Sequence, residues 1–304
     1  MPELPDIEAY LAALQPRVVH RPLLSATLGS PFLLRTVEPP LSALHTREVQ
    51  AVRRIGKRIV FDFPGELHLV LHLMIAGRLH WKDKGPAKGG KKALLVLAFP
   101  NGVLSLTEAG TMRRASLHLV RGAAALAQFD RGGLEVLDTS LDAFASRVRS
   151  ENHTLKRTLT DPRLLSGIGN AYSDEILHRA RLSPMLLTAR IADEEMRRLH
   201  RATVEVLVEW RDRLVAEARL AFPEQVTAFR PEMAVHGRYG LPCPVCRAPV
   251  QRIRYASNET NYCATCQTGG RLLADRSLSR LLKEDWPRSL EELDELTIRT
   301  RSGS

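Results

Sequence analysis

The chain has 304 residues, more than one hydrophobic core usually organises, and its apolar fraction of 44% excludes a disordered or fibrous protein. A formal charge of +10 and a pI near 9.8 favour a polyanionic partner such as nucleic acid, without choosing DNA over RNA or acidic lipid. No apolar run is long enough to span a bilayer, and no basic or apolar leader follows Met1, so no membrane segment and a cytoplasmic location are expected.

In chain order, Met1-Pro2-Glu3-Leu4-Pro5-Asp6 is followed by Ile7, Leu11 and Leu14 at helical spacing, which predicts a short helix that holds the terminus in place. From about Arg47 to Val120 short β-like runs take over: 58–63, 67–73, 94–99 and 116–120. Pro-Gly, Asn-Gly and Gly-rich turns separate them, the pattern of an antiparallel sandwich or barrel. The basic stretch Lys82 to Lys92 reads as a solvated hairpin tip, and Gly132-Gly133 as a hinge. Beyond the hinge the sequence turns helical. Its clearest helix covers Asp193 to Leu220, with Met196, Leu199, Val206, Leu207, Trp210 and Leu214 on one apolar face that serves the core. A turn-rich segment from Gly237 to Gly270 holds every cysteine. In the tail after it Leu272, Leu278, Leu281 and Leu282 recur at roughly helical spacing, ahead of a polar end expected to be disordered.

Cys243-Pro-Val-Cys246, 16 residues, then Cys263-Ala-Thr-Cys266 is the spacing of a tetrahedral four-thiolate zinc site built on a β-hairpin. Four protein ligands leave no open position, so one structural Zn2+ is predicted. Two redox CxxC pairs are the weaker reading, because no βαβ pattern surrounds them.

Excision of Met1 before a small residue leaves Pro2 with a free secondary amine. With a reference pKa of about 8, such an amine is partly unprotonated at neutral pH. It can attack C1′ of a sugar and form an iminium, as a lysine Schiff base does. Glu3 beside it is placed to protonate the ring oxygen or shuttle protons during elimination. Met-Pro-Glu alone is shared by many chains that make no such use of it.

Its weight comes from the ordered set: Pro2-Glu3-Leu4-Pro5-Asp6-Ile7-Glu8, then Gly167-Ile168-Gly169-Asn170-Ala171-Tyr172-Ser173-Asp174-Glu175, then the four-cysteine hairpin. With these in that order, the chain resembles the formamidopyrimidine-DNA glycosylase and endonuclease VIII family over residues 1 to about 268. The resemblance implies an α+β protein. Its parts are an N-terminal antiparallel β-sandwich catalytic domain (1–128), a helical domain with a helix-two-turns-helix motif (129–236), a zinc-finger β-hairpin (237–270) and a C-terminal extension (271–304). It implies a bifunctional DNA glycosylase and AP lyase of base excision repair, acting as a monomer on double-stranded DNA with damaged bases or abasic sites. The damaged nucleotide is flipped out of the duplex, because C1′ is inaccessible within the stack.

Carried over by motif, Pro2 is the nucleophile, Glu3 the proton donor and acceptor, and Lys57 in Arg54-Ile-Gly-Lys57-Arg58 the hairpin lysine that meets phosphate near the lesion. Asn170 is the backbone-holding asparagine and Lys156 a further phosphate lysine. Such contacts position the duplex without reading sequence, and salt weakens them.

The chain also departs from the formamidopyrimidine-type pattern. His72-Leu73-Met74-Ile75-Ala76-Gly77 stands for His-Leu-Gly-Met-Ser-Gly, so either Met74 or Ile75 fills the gap left by the flipped base. Arg113 and Arg114 take the orphaned-base side, but no Asp-Pro-Arg-Arg-Phe surrounds them. Asn258 occupies the finger position of a phosphate-contacting arginine, with Arg252 and Arg254 on the other strand as the substitutes. The segment between the long helix and the finger is shorter than the loop that caps 8-oxoguanine. Oxidised purines of the formamidopyrimidine and 8-oxoguanine type are the first expectation because they suit the family resembled, cleaved by β/δ-elimination; the shortened cap and the missing phenylalanine leave room for others. Oxidised pyrimidines or abasic sites alone come second. A non-catalytic damaged-DNA binder and an RNA-binding zinc ribbon are the readings from other classes.

Overall fold

The computed structural model describes residues 1–83, 92–109, 113–224, 226, 229–255, 258–274, 287–293 and 295. The chain divides into two compact units, 1–133 with 208–227 and 134–207 with 228–304.

Helix α1 (Leu4–Val18) opens the first unit and is longer than the Ile7-to-Leu14 periodicity predicts. Its start is set by a capping box: the Glu3 carboxylate accepts from the Asp6 N–H, and Asp6 Oδ2 accepts from the Glu3 N–H at 2.9 Å. Pro5 in the first turn is harmless, since its missing N–H is one the helix leaves unpaired there anyway. Two four-stranded antiparallel sheets follow. The strands are β1 (Ser25–Leu28), β2 (Ala51–Ile55), β3 (Arg58–Phe63), β4 (Leu67–His72), β5 (Gly77–Lys82), β6 (Ala93–Phe99), β7 (Gly102–Glu108) and β8 (Ser116–Arg121). One sheet has the order β1-β6-β7-β5 and the other β2-β3-β4-β8.

Alternation decides which side of the second sheet is dry. Ile59, Phe61, Phe63, Leu69, Leu71, Leu117 and Leu119 join Leu79, Leu95, Leu97, Leu104 and Leu106 of the first sheet, and Ile7, Tyr10 and Leu14 of α1, in one buried core. The opposite face carries Val60 and Val70, and helix α2 (Ala123–Ala127) covers it through Leu126, with Phe129 packed alongside. Residues 208–227 return to this unit: Val226 enters the core, and Phe222 lies 6.0 Å from the Tyr10 ring.

The second unit holds α3 (Leu141–Arg149), α4 (Leu155–Thr160), α5 (Asn170–Ala180) and the start of the long α6 (Asp193–Leu220). Ser140 and Thr154 cap α3 and α4 by accepting from the Ala143 and Arg157 N–H groups. Strands β9 (Val250–Tyr255) and β10 (Asn258–Cys263) form the predicted hairpin, and the short α7 (Ala264–Thr268) follows. Cross-strand pairing puts Ile253 and Tyr262 on one face of it, where Leu272, Leu273, Leu290 and Leu293 of the tail pack. Those described parts of the tail are therefore ordered on the finger, whereas Leu278, Leu281 and Leu282 lie outside the described residues.

No helix among the described residues is long and apolar enough to cross a membrane.

Candidate active site and metal centre

The N-terminus is fixed by the helix that follows it. Glu3 is the N-cap residue of α1, and Pro2, Glu3 and Asp6 are all buried. Burial lowers the pKa of the Met1 α-amine; Glu3 and Asp6 oppose that shift, while Arg78 and Lys57 add to it. Lys57 sits in the β2–β3 turn, which Gly56 closes at φ +57°. Burial depresses the Lys57 ammonium as well, against the pull of the Glu3 carboxylate. The terminus, Glu3 and Lys57, distant in sequence, thus share one electrostatic site. Arg54 Nε, bonded to Glu8 Oε1 at 2.7 Å, ties the hairpin to α1.

Register collects the other first-unit candidates at the same end of the second sheet. Arg58 begins β3, pairs with His72 at the end of β4, and His72 pairs with Ser116 at the start of β8. The turn bearing Lys57, the connection bearing Met74 and Ile75, and the connection bearing Arg113 and Arg114 all leave the sheet there. Met74 adopts φ +52° and is half-buried; Ile75, 55% exposed, is the apolar side chain that projects. Gly77 closes this turn through its N–H to the Leu73 carbonyl at 2.9 Å. A Cβ at Gly77 would lie 2.3 Å from that oxygen, so no other residue fits. Arg113 and Arg114 are exposed, and their segment is held by the Glu108 carboxylate, which accepts from the Arg114 N–H at 2.9 Å and the Ala115 N–H at 3.2 Å. Ala115, where a phenylalanine is missing, is a core residue.

In the second unit the positive φ of Gly167 (+81°) turns the chain into α5, whose N-cap is Gly169. Asn170 donates its side-chain N–H to the Glu259 carbonyl of β10 at 2.8 Å. The Lys156 ammonium reaches the Asn170 carbonyl at 2.7 Å and Asp174 Oδ1 at 2.5 Å. Asp174, wholly buried, accepts through Oδ2 from His236 Nδ1 at 2.7 Å and the Asn261 N–H at 3.1 Å. Glu175 accepts from the Ala234, Val235 and His236 amides at 2.7–2.9 Å, and burial raises its carboxyl pKa. Lys156 therefore stands in an internal ion pair rather than at a bare surface. Asp174, Glu175 and His236 gave no sign of this role in sequence, because Asp174 and His236 meet across 62 positions. Replacing Asp174 by Ala leaves the Lys156 charge unpaired in a poorly hydrated site. A loss of about 3–5 kcal/mol is expected, read from urea unfolding.

The four cysteine Sγ atoms lie within 4.8 Å of one another, with Cys246 to Cys263 at 3.3 Å and Cys243 to Cys266 at 3.9 Å. Burial pushes the Cys266 thiol up to about 11 and Cys263 higher still, so a divalent cation is what would hold them as thiolates. The donor set and its closed geometry fit one structural zinc ion. His178 of α5 places Nε2 at 3.3 Å from Cys243 Sγ, the outer-layer contact common beside such metals. Of the arginines beside the finger's Asn258 position, Arg252 lies over the Tyr239 ring at 3.9 Å. Arg252 and Arg254 share the Glu259 carboxylate at 3.5 and 3.4 Å.

Comparison with known proteins agrees with this geometry. Residues 1–114 match the formamidopyrimidine-DNA glycosylase N-terminal domain, 134–210 the formamidopyrimidine-DNA glycosylase H2TH domain, and 240–269 the zinc finger found in FPG and IleRS. The formamidopyrimidine-DNA glycosylase of Thermus thermophilus is 32% identical over 282 residues, covering 89% of this chain and 100% of that one. An uncharacterized formamidopyrimidine-DNA glycosylase-like protein of Mycobacterium tuberculosis is 40% identical over 151 residues, 50% of this chain and 94% of that one. Among solved structures, the MutM (Fpg) protein of Thermus thermophilus superimposes with a TM-score of 0.73 at 30% identity, covering 88% of this chain and 98% of that one. Lactococcus lactis Fpg, solved with DNA containing an abasic site, shares the fold with a TM-score of 0.76 at 24% identity, covering 88% and 99%. On matches of this length and identity, the chain belongs to the formamidopyrimidine-DNA glycosylase family.

Proposed function

We propose that Pro2, once Met1 is removed, is the nucleophile of a DNA glycosylase of base excision repair, with Glu3 as its proton carrier and Lys57 beside the reacting phosphate. The carrying observation is the burial of Pro2 directly ahead of α1, beside a terminus that lies in the field of both Glu3 and Lys57. The ring nitrogen attacks C1′, and the base leaves as the N-glycosidic bond breaks, with Glu3 protonating the ring oxygen. The nitrogen then loses its proton, and its lone pair breaks the bond from C1′ to the ring oxygen, which leaves as the hydroxyl protonated by Glu3, to give an iminium. Removal of a C2′ proton then expels the 3′ phosphate by β-elimination and cuts the strand; while the conjugated iminium persists, a second elimination expels the 5′ phosphate, and water then releases Pro2 from the sugar remnant.

Duplex DNA is the substrate in this reading, bound by a monomer in the cytoplasm, with the zinc ion serving the fold. Ile75 is the wedge and Met74 its support, since Ile75 is the side chain that projects. Asn170 and the finger arginines serve backbone contacts. Formamidopyrimidine-type purines are the first substrate class, after the relatives that carry that name. The altered segment at Arg113 and Arg114 favours oxidised pyrimidines or abasic sites as the second.

Borohydride added during turnover of abasic duplex should trap a covalent complex, and a peptide map should place the sugar on Pro2. Intact strands and no adduct would leave a non-catalytic DNA binder. A panel of single-lesion duplexes decides the base.

The acid limb of the pH profile offers a further check. Burial lowers the Met1 α-amine from its ordinary value of about 8, and Pro2, the next residue inward, is itself buried, so once Pro2 is the terminus activity is expected to survive to lower pH than for a free amine. Arg78 adds to that lowering, so Arg78→Gln should raise the amine pKa and move the limb of kcat/KM to higher pH. A limb that stays in place would contradict this assignment.

A further inference from the structure

Next to the site just described, the exposed end of the β2-β3-β4-β8 sheet carries a second concentration of positive charge that the mechanism does not use. Arg58 is half-buried at the first position of β3. Its guanidinium donates to the Phe129 carbonyl at 3.2 Å and lies over the Phe129 ring at 5.9 Å from the centroid. The same ring receives His118 edge-on at 4.9 Å. The Arg35 backbone N–H donates to the carbonyl of Leu117 at 2.8 Å, which sets Arg35 on the strand position next to His118. Arg131, two residues past the ring, is close enough to lower the Arg58 pKa after burial has done so. Burial, Arg58 and Arg35 lower His118 in that order.

Among the described residues none of Arg35, Arg58, His118 and Arg131 is in an ion pair. This contrasts with Arg53, Arg54, Arg149 and Arg163, each of which meets a carboxylate. Gathering like charges around a half-buried guanidinium costs stability unless an anion completes the cluster. The aromatic support under Arg58 orients its planar fork, as bidentate oxyanion recognition requires.

We infer that Arg58, Arg35 and Arg131, with His118, form a seat for a backbone phosphate of duplex DNA that flanks the phosphate at Lys57. The seat rests on the DNA-repair reading above and deepens it, since it extends the bound duplex across the outer end of the sheet. It makes phosphate contacts alone and so contributes to affinity equally for every base sequence.

The test measures binding of fluorescent duplex containing a stable abasic analogue over a series of salt concentrations, for the full zinc-loaded chain and for Arg58→Gln and Arg131→Gln. Each substitution should weaken binding and lower the slope of log K against log salt by about 0.9, one phosphate contact. Arg131 is exposed, so its variant decides the matter should Arg58→Gln fold poorly. A wild-type slope in Arg131→Gln overturns the seat. Borohydride trapping on the same samples separates the two ideas. Trapping with an unchanged slope sinks the seat alone, and absence of trapping by the wild-type chain removes the reading on which it stands.

Discussion

A chain whose amine is blocked, by any residue left ahead of Pro2, should bind abasic duplex almost normally and yet form no borohydride adduct and cut no strand. The loss is expected to be complete within detection because no lysine replaces the ring nitrogen. Lys57 is the amine nearest in kind, and its field is already committed to Glu3. Glu3→Gln should cost about 10²- to 10⁴-fold in base release, the usual share of a positioned proton donor. Glutamine keeps an oxygen able to accept the Asp6 N–H, so the α1 capping contact survives and melting temperature should move little. A blocked chain that still cuts would show that the nucleophile lies elsewhere.

The second large effect concerns the metal. Cys263→Ser should release zinc, measured by elemental analysis. Binding in small zinc modules is worth about 10–16 kcal/mol, more than the few apolar side chains of the hairpin supply. Amide exchange should then become fast along β9 and β10. The damage should not stop at the hairpin: Asn170 gives its side-chain N–H to the Glu259 carbonyl and Asp174 accepts from the Asn261 N–H, so α5 loses partners when β10 melts. Affinity for abasic duplex should fall at least tenfold, roughly 1.4 kcal/mol. Full zinc content in the variant, or unchanged exchange, would refute the coupling.

These two sites differ in how far residues alone disclosed them. The metal centre was readable because ligand spacing is local chemistry: two CxxC knuckles on one hairpin need no knowledge of the rest. Strands β3, β4, β6 and β8 were readable because their core-facing side chains are large and apolar. Strands β1, β2, β5 and β7 were not, since sequences such as Ala51–Ile55 and Gly77–Lys82 carry arginine, lysine or histidine on their wetter face and blur the pattern. The helix at the terminus was read three residues late, because Pro5 looks like a breaker until the capping box is seen. Lys156 illustrates the remaining gap. A motif places a lysine there, but whether it meets solvent or a carboxylate depends on Asp174, which only the packing of α4 against α5 brings to it.

The way α1 begins has a thermodynamic corollary. Since Glu3 is the last residue before the helix, the amine is joined to a rigid rod with almost no slack, and its position varies little from one molecule to the next. With the roles proposed for Pro2 and Glu3, the entropy of bringing nucleophile and proton donor together is spent during folding, so an encounter with sugar would begin at high effective molarity. Loosening that first turn, by glycine at position 4 or 5, would cost turnover long before it cost fold.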